Sequence, residues 1–283
     1  MNNEKWLFTI TPKNNLLKID FKELWRYKDL LFLFVKRDVI TLYKQTILGP
    51  LWYLIQPLLT SVIFTLVFNS VAGIKTGEIP PFLFNLVGIT AWNYFKDCLI
   101  ETSDTFKKNE AIFGKVYFPR IIMPMSVVVS NLLKFGIQLI ILIAFYLYFV
   151  LVEDYVIVPN QSILFFPLVV FFMGLLGLGL GMIISSMVTK YRDLTFLISF
   201  GVQLFMYISL VVIPLSLFQD KGIEWLVKYN PMAQIIEMVR FMVLNEGSVS
   251  QFGILYTIGC TLVVLFMGIL VFNKTEKTFI DTI

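Results

Sequence analysis

The stretch Ile163–Val188, ILFFPLVVFFMGLLGLGLGMIISSMV, runs for 26 residues without a charge. As a helix rising about 1.5 Å per residue it reaches across the roughly 30 Å hydrocarbon core of a bilayer. Working outward, five more apolar runs lie near 49–69, 81–100, 121–151, 194–218 and 252–272. Their number and length predict an all-α polytopic membrane protein with six transmembrane helices, in a single domain over residues 1–283. Composition agrees. Of 283 residues 58% are hydrophobic and 15% charged, whereas a domain that must face water carries about 25% charged residues. The mean hydropathy is +0.80.

The excess of basic residues acquires meaning once it is divided between the two sides of the membrane. Residues 1–47 hold nine Lys and Arg, 101–120 hold four, 189–194 hold two and the tail after 272 holds two, 17 in all. The opposite connections hold four: Lys75, Lys221, Lys228 and Arg240. Short connections rich in Lys and Arg stay in the cytoplasm, so both termini are expected there. The polar, basic N-terminal segment does not read as a signal peptide. Cys98 and Cys260 lie in apolar runs and read as small packing residues rather than a disulfide pair.

Three segments are not ordinary spans. Residues 20–46, DFKELWRYKDLLFLFVKRDVITLYKQT, repeat Leu24, Leu31, Val35, Val39 and Leu42 at helical spacing, with Arg26, Asp29, Arg37 and Lys44 elsewhere on the wheel. This predicts an amphipathic helix in the cytoplasmic interface. It is either an anchor for the first span or a docking surface and a platform for a phosphorylated lipid. Residues 101–120, ETSDTFKKNEAIFGKVYFPR, predict a short helix from Glu101 to Ala111, ended by Gly114 and Pro119, in a loop long enough to contact a partner. In 219–251, Asn230-Pro231 signals a helix start. Met232, Ile235, Ile236, Val239 and Val243 then give about 14 amphipathic residues, too few to span. Preceded by another short helix near 223–229, this region reads as a packing cap or an outer gate.

Within the spans, polar residues recur on single faces. Ser126, Ser130, Lys134 and Gln138 are spaced by four, with Asn131 beside them. Ser199, Gln203 and Tyr207 form a second stripe, Tyr53, Gln56 and Thr60 a third, and Thr257 and Thr261 a fourth. Each alone fits interhelical hydrogen bonding; together they fit the lining of a passage. Gly177, Gly181 and Ser185 make a small-residue ridge for close helix packing. Pro57 and Pro214 are expected to kink their helices. Aromatic residues inside spans, Trp92 among them, suit the C–H faces of sugar rings as well as lipid.

No phosphate-binding loop G-x-x-x-x-G-K-[ST], no His and no cysteine cluster occur in the chain. ATP hydrolysis, metal chemistry and His-based catalysis are therefore not expected of it. Asp97 and Glu101, beside Lys96, are the main intramembrane acids. They offer thin support for an ion-coupled carrier or for an enzyme acting on lipid-linked sugars.

The run Arg37-Asp38…Tyr43-Lys44-Gln45-Thr46-x-Leu48-Gly49-x-x-Trp52-x-x-x-Gln56-Pro57 resembles the opening signature of the polysaccharide-export permeases of the type-2 ABC exporters. Gly88, Trp92, Lys115-Val116-Tyr117-Phe118-Pro119-Arg120, Pro124, Arg192-Asp193, Asn230-Pro231-Met232 and Arg240 continue the likeness in order across nearly the whole chain. One departure is Ser209-Leu210-Val211-Val212-Ile213-Pro214, where the family often has a Ser-Pro-Val-type segment. The resemblance implies a homodimer joined to two copies of a cytoplasmic ABC ATPase that holds ATP and Mg, with no cofactor in this chain. It implies a glycan on undecaprenyl diphosphate as cargo: O-antigen first, teichoic acid or capsule next. No nucleic-acid partner is expected, and the implied site is the cytoplasmic membrane. Cations at the interface suit phosphate charge, so the lipid diphosphate is expected at Arg37 and Lys44. ATPase coupling falls to Arg26, Asp29, Asp38, Thr105, Lys107, Lys108 and Glu110. The polymer path takes Tyr53, Gln56, Thr60, Trp92, Ser130, Lys134, Gln138, Gln203 and Tyr207, and the outer gate takes Asn230, Pro231, Met232 and Arg240.

Overall fold

The computed structural model describes residues 21–44, 47–113, 116, 118–191, 193–219, 222–247 and 249–280, and every regular element among them is helical. Helices α1 (Phe21–Arg26) and α2 (Lys28–Tyr43) are separated at Tyr27, where ψ turns to 16°. The one helix expected over 20–46 is thus two, and positions 20, 45 and 46 lie outside the described residues. Helix α3 (Trp52–Phe64) stays helical through Pro57 and continues in wider π-helical turns over Thr65–Val71. Next come α4 (Pro81–Ser103), α5 (Thr105–Lys108) and α6 (Glu110–Phe113). The second expected span therefore runs on into the 101–120 loop, whose expected helix is divided among the end of α4, α5 and α6; Gly114, Lys115 and Tyr117 lie outside the described residues. The chain continues as α7 (Ile122–Leu151), α8 (Phe166–Lys190), α9 (Leu194–Ile208), α10 (Ser216–Gln219), α11 (Glu224–Lys228), α12 (Pro231–Leu244) and α13 (Gln251–Ile280).

Helical stretches stand at all six expected positions, and four are long and apolar enough to cross a bilayer: Gly49–Val71, Ile122–Leu151, Gln161–Lys190 and Gln251–Glu276. Of the other two, α4 carries Lys96, Asp97 and Glu101 in its second half, and α9 has only 15 residues. The fifth run was expected to continue to 218 with a kink at Pro214. Instead α9 ends at Ile208 and Leu210 takes a left-handed φ of 58°. Pro214 follows the break and kinks no helix.

Helix α4 is the centre of the bundle. It packs against α8, α7, α3 and α12, and residues 83–92 are buried throughout. Small residues on α8 permit this. A Cβ on Gly177 would stand 2.8 Å from Cys98 Cβ, and one on Gly181 would press into Thr102. Ser185, one step further along the ridge, is also buried. On the opposite side, Gly179 meets the backbone of α13 at Leu265, with Gly268 facing it. The spacing seen in the sequence is therefore a packing device, and α8 has a second small face that the ridge did not announce. Gly181→Val is expected to lower stability by about 1–3 kcal/mol through overpacking, read as an earlier thermal unfolding of the detergent-solubilised protein. An unaltered unfolding temperature would contradict the close approach.

A second apolar cluster, Phe34, Phe106, Phe113, Phe118 and Phe272 with Ile122 and Met123, gathers α2, α5, α6, α7 and the C-terminal part of α13. These elements share one end of the bundle, termed the basic end. Segments 73–80, 209–219 and 222–247 meet at the far end.

Candidate functional site: a charged cluster and a pinned helix end

At the basic end, helical spacing places Asn93, Lys96, Asp97 and Glu101 along the half-covered side of α4. Helix α7 meets this side with its polar stripe. Lys134 Nζ donates to Glu101 Oε1 at 2.7 Å, and Asn131 Nδ2 donates to Glu101 Oε2 at 3.2 Å. Lys96 Nζ donates to Asn93 Oδ1 at 3.3 Å and lies 3.5 Å from Asp97 Oδ1. From α3, the Tyr53 ring stands under Lys134 Nζ, 5.5 Å from its centroid. From α2, Asp38 Oδ2 accepts a long 3.5 Å hydrogen bond from Ser130. Lys96 and Lys134 thus face Asp97 and Glu101 while Arg37 pairs Asp38, so the cluster is close to neutral while mixing donors and acceptors.

Asp38 also ties the cluster to the basic end's loop. Arg37 Nη2 lies 2.8 Å from Asp38 Oδ1, and Arg37 Nη1 donates to Asn109 Oδ1 at 3.4 Å. Asn109 Nδ2 in turn donates to the Thr105 carbonyl at 2.9 Å. The guanidinium also lies 5.0 Å from the Phe34 ring centroid.

The far end is built around α12. Asn230 caps it by accepting from the Met232 and Ala233 amides at 3.0 and 3.2 Å. Its own amide donates to Ser209 Oγ at 3.0 Å, so the cap also grips the end of α9. Nearly three turns on, Arg240 is fully buried and donates to the Leu210 and Val211 carbonyls, both at 2.6 Å. Its guanidinium sits 3.6 Å from the Phe84 ring centroid and 3.3 Å from Glu237 Oε1. Gly88 is required nearby, since a Cβ there would strike the Val211 carbonyl oxygen. Beside Arg240 lies a cleft of about 430 Å³ lined by Lys75, Phe84, Pro214, Glu237 and Glu246.

The expected site residues divide by placement. Asn230, Pro231, Met232 and Arg240 come together on α12, with Met232 and Arg240 fully buried. Trp92, Ser130, Lys134 and Gln138 are buried inside the chain. Gln56 and Gln203 are exposed, and Tyr53, Thr60 and Tyr207 half-buried, on α3 and α9. Tyr207 approaches Phe68 at 6.5 Å, beyond the end of α3. Arg26, Asp29, Arg37, Lys44, Lys107, Lys108 and Glu110 are exposed at the basic end, Asp38 is half-buried, and Thr105 is buried. The sequence reading missed Asn109 and Asn93. It also missed Asn85, which donates to Thr65 Oγ1 at 3.1 Å and to Asn69 Oδ1 at 2.9 Å in the π-helical segment. Glu237, three residues before Arg240, was the one legible signal overlooked. Among the described residues no group of acids and cysteines could hold a metal ion.

The profile of the ABC-2 type transporter family matches residues 29–244, from the first turn of α2 to the last residue of α12. The chain belongs to the ABC-2 type transporter family. Both the charged cluster and the pinned helix end lie within the matched region. This ABC-2 transporter is 28% identical over 256 residues to an O-antigen export system permease protein RfbA of Klebsiella pneumoniae, covering 89% of this chain and 94% of that protein. It is 26% identical over 263 residues to the O-antigen export system permease protein RfbA of Myxococcus xanthus, covering 93% and 98%. The ABC-2 family consists of membrane transport permeases, which work with an ABC ATPase.

Proposed function

We propose that the chain is half of the membrane channel of an ATP-driven exporter. Two copies join two copies of a separate ABC ATPase and move a polysaccharide on undecaprenyl diphosphate through the cytoplasmic membrane. O-antigen is the first candidate cargo, supported by what the relatives export; teichoic acid and capsule are the alternatives. Helices α4 and α9 complete six spans, and the basic end faces the cytoplasm.

The observation that carries this reading is the exposure of Gln56 and Gln203 on helices that are otherwise apolar. Polar side chains turned to lipid are disfavoured, so these faces call for a second copy and a watered path between them. Tyr53, Thr60 and Tyr207 lie along the same helices. Trp92, Ser130, Lys134 and Gln138 stand buried behind them, with Lys134 holding Glu101 and Lys96 beside Asp97 at the mouth of the path. The alternating donors and acceptors of the cluster suit sugar hydroxyls. Arg37 and Lys44 meet the diphosphate. Arg26, Asp29, Asp38, Thr105, Lys107, Lys108 and Glu110 form the ATPase contact, and Asn230, Pro231, Met232 and Arg240 the outer gate.

A second reading, an ion-coupled carrier, draws on Asp97 and Glu101 within the bundle. Each is matched by a lysine, which favours fixed charge over a moving proton. Proteoliposomes separate the two readings. Lipid-linked polymer from the host should move only when the chain is combined with its partner ABC ATPase and given ATP. Uphill transport by the chain alone, driven by a proton or sodium gradient, would overturn the proposal.

A further inference from the structure

We infer that α13 is the rod that carries movement of the cytoplasmic loop to the outer helices, with Arg120 as the positioning residue of its inner joint. The inference rests on the proposed function and names how that function is coupled across the membrane.

The inner joint is built and buried. Arg120 is almost wholly enclosed, and its Nη1 donates to the Glu276 carbonyl at 3.0 Å while Nε lies 3.7 Å from Glu276 Oε1. The planar fork reaches backbone and carboxylate of one residue together, which a lysine does not do. The Phe113 ring lies 5.1 Å from the guanidinium. Phe106, on α5, stacks on Phe272, on α13, with centroids 4.6 Å apart and both rings buried. The loop therefore holds α13 at two points about one helical turn apart, Phe272 and Glu276. A single contact permits pivoting; two restrict the loop and the helix to moving together.

The rod itself is unbroken. Helix α13 has 30 residues, about 45 Å at 1.5 Å per residue. At its other end Tyr256 Oη donates to the Tyr229 carbonyl at 2.9 Å, just before α12. Gly253 leaves room for the Gln234 side chain of α12. Gln234 also reaches back to the Val227 carbonyl at 3.3 Å. Loop, rod and outer helices are thus joined in series, while α13 meets α8 backbone to backbone at Gly179 and Gly268 and packs Leu265, Ile269 and Phe272 into one apolar cluster with Leu178 and Met182 of α8.

The test uses spin labels on the full chain assembled with its ATPase, with Cys98→Ala and Cys260→Ala as background. Ala111→Cys and Lys274→Cys label exposed positions on the loop and the rod, and Leu133→Cys labels an exposed position on α7. Between nucleotide-free and ATP-bound states the 111–274 distance should hold, while the 274–133 distance should change. A change in 111–274, or an unmoving 274–133, would overturn the inference. Arg120→Lys gives an independent readout: ATP hydrolysis should persist while polymer moved per ATP falls about tenfold, the scale of an ordinary coupling free energy. An unchanged ratio would also overturn it. If Arg120→Lys does not fold, the distance measurement decides alone, since it leaves Arg120 in place. Failure of the unaltered chain to assemble with the ATPase or to export would instead count against the proposed function.

Discussion

Arg240→Ala is expected to destabilise the protein by about 3–5 kcal/mol, the range for removing one partner of a buried ion pair. The side chain has no exposure, and both of its short hydrogen bonds go to carbonyls of the segment that follows α9. Without it the Leu210 and Val211 carbonyls lose their donors, at roughly 1–3 kcal/mol for each buried group left unmade. Glu237, only 4% exposed, loses its counter-charge as well. Arg240→Lys keeps the charge but replaces the fork with a single ammonium, so a smaller loss is expected. Arg240→Met combined with Glu237→Gln should be milder than Arg240→Ala, because no charge is then stranded. Chemical unfolding of the detergent-solubilised variants measures all three. Equal stability of Arg240→Ala and the unaltered chain would show that the α9 break stands without its pin.

Lys134→Met is the second large effect, expected at about 2 kcal/mol in stability and in a near-complete loss of export. The energetic figure is below the usual range for a buried pair because Glu101 keeps a third of its side-chain exposure. Glu101 would then face Asp97 on its own helix without the Lys134 ammonium, and Asn131 would be its remaining named donor. Adding Glu101→Gln should restore stability by removing the stranded charge. It should not restore export if the cluster must offer both donors and acceptors to cargo. Recovery of export in the double variant would reduce the pair to a packing role.

Much of the architecture was readable because its causes are local. A charge-free run of 26 residues has few options other than a bilayer, and Asn230-Pro231 starts a helix through its own side chain and ring. The small ridge on α8 was readable for the same reason: its spacing is set by the helix that carries it. The end of α9 was not. Residues 209–218 remain apolar enough to extend a span, and the chain turns at Leu210 because Arg240, thirty residues later, takes the carbonyls there. The polar stripe on α7 was visible, but whether Lys134 faced water or a partner depended on Glu101, thirty-three residues away on α4.

The sequence by itself determined that this chain lives in a membrane, where its long apolar helices lie, and which end is basic, since each follows from composition and neighbouring residues. Only the tertiary structure decided which polar groups pair inside the bundle, which remain exposed on α3 and α9, and where α9 stops. The physical reason is that a buried charge or carbonyl is satisfied by whatever the fold brings within about 3 Å. Sequence separation places no limit on that partner.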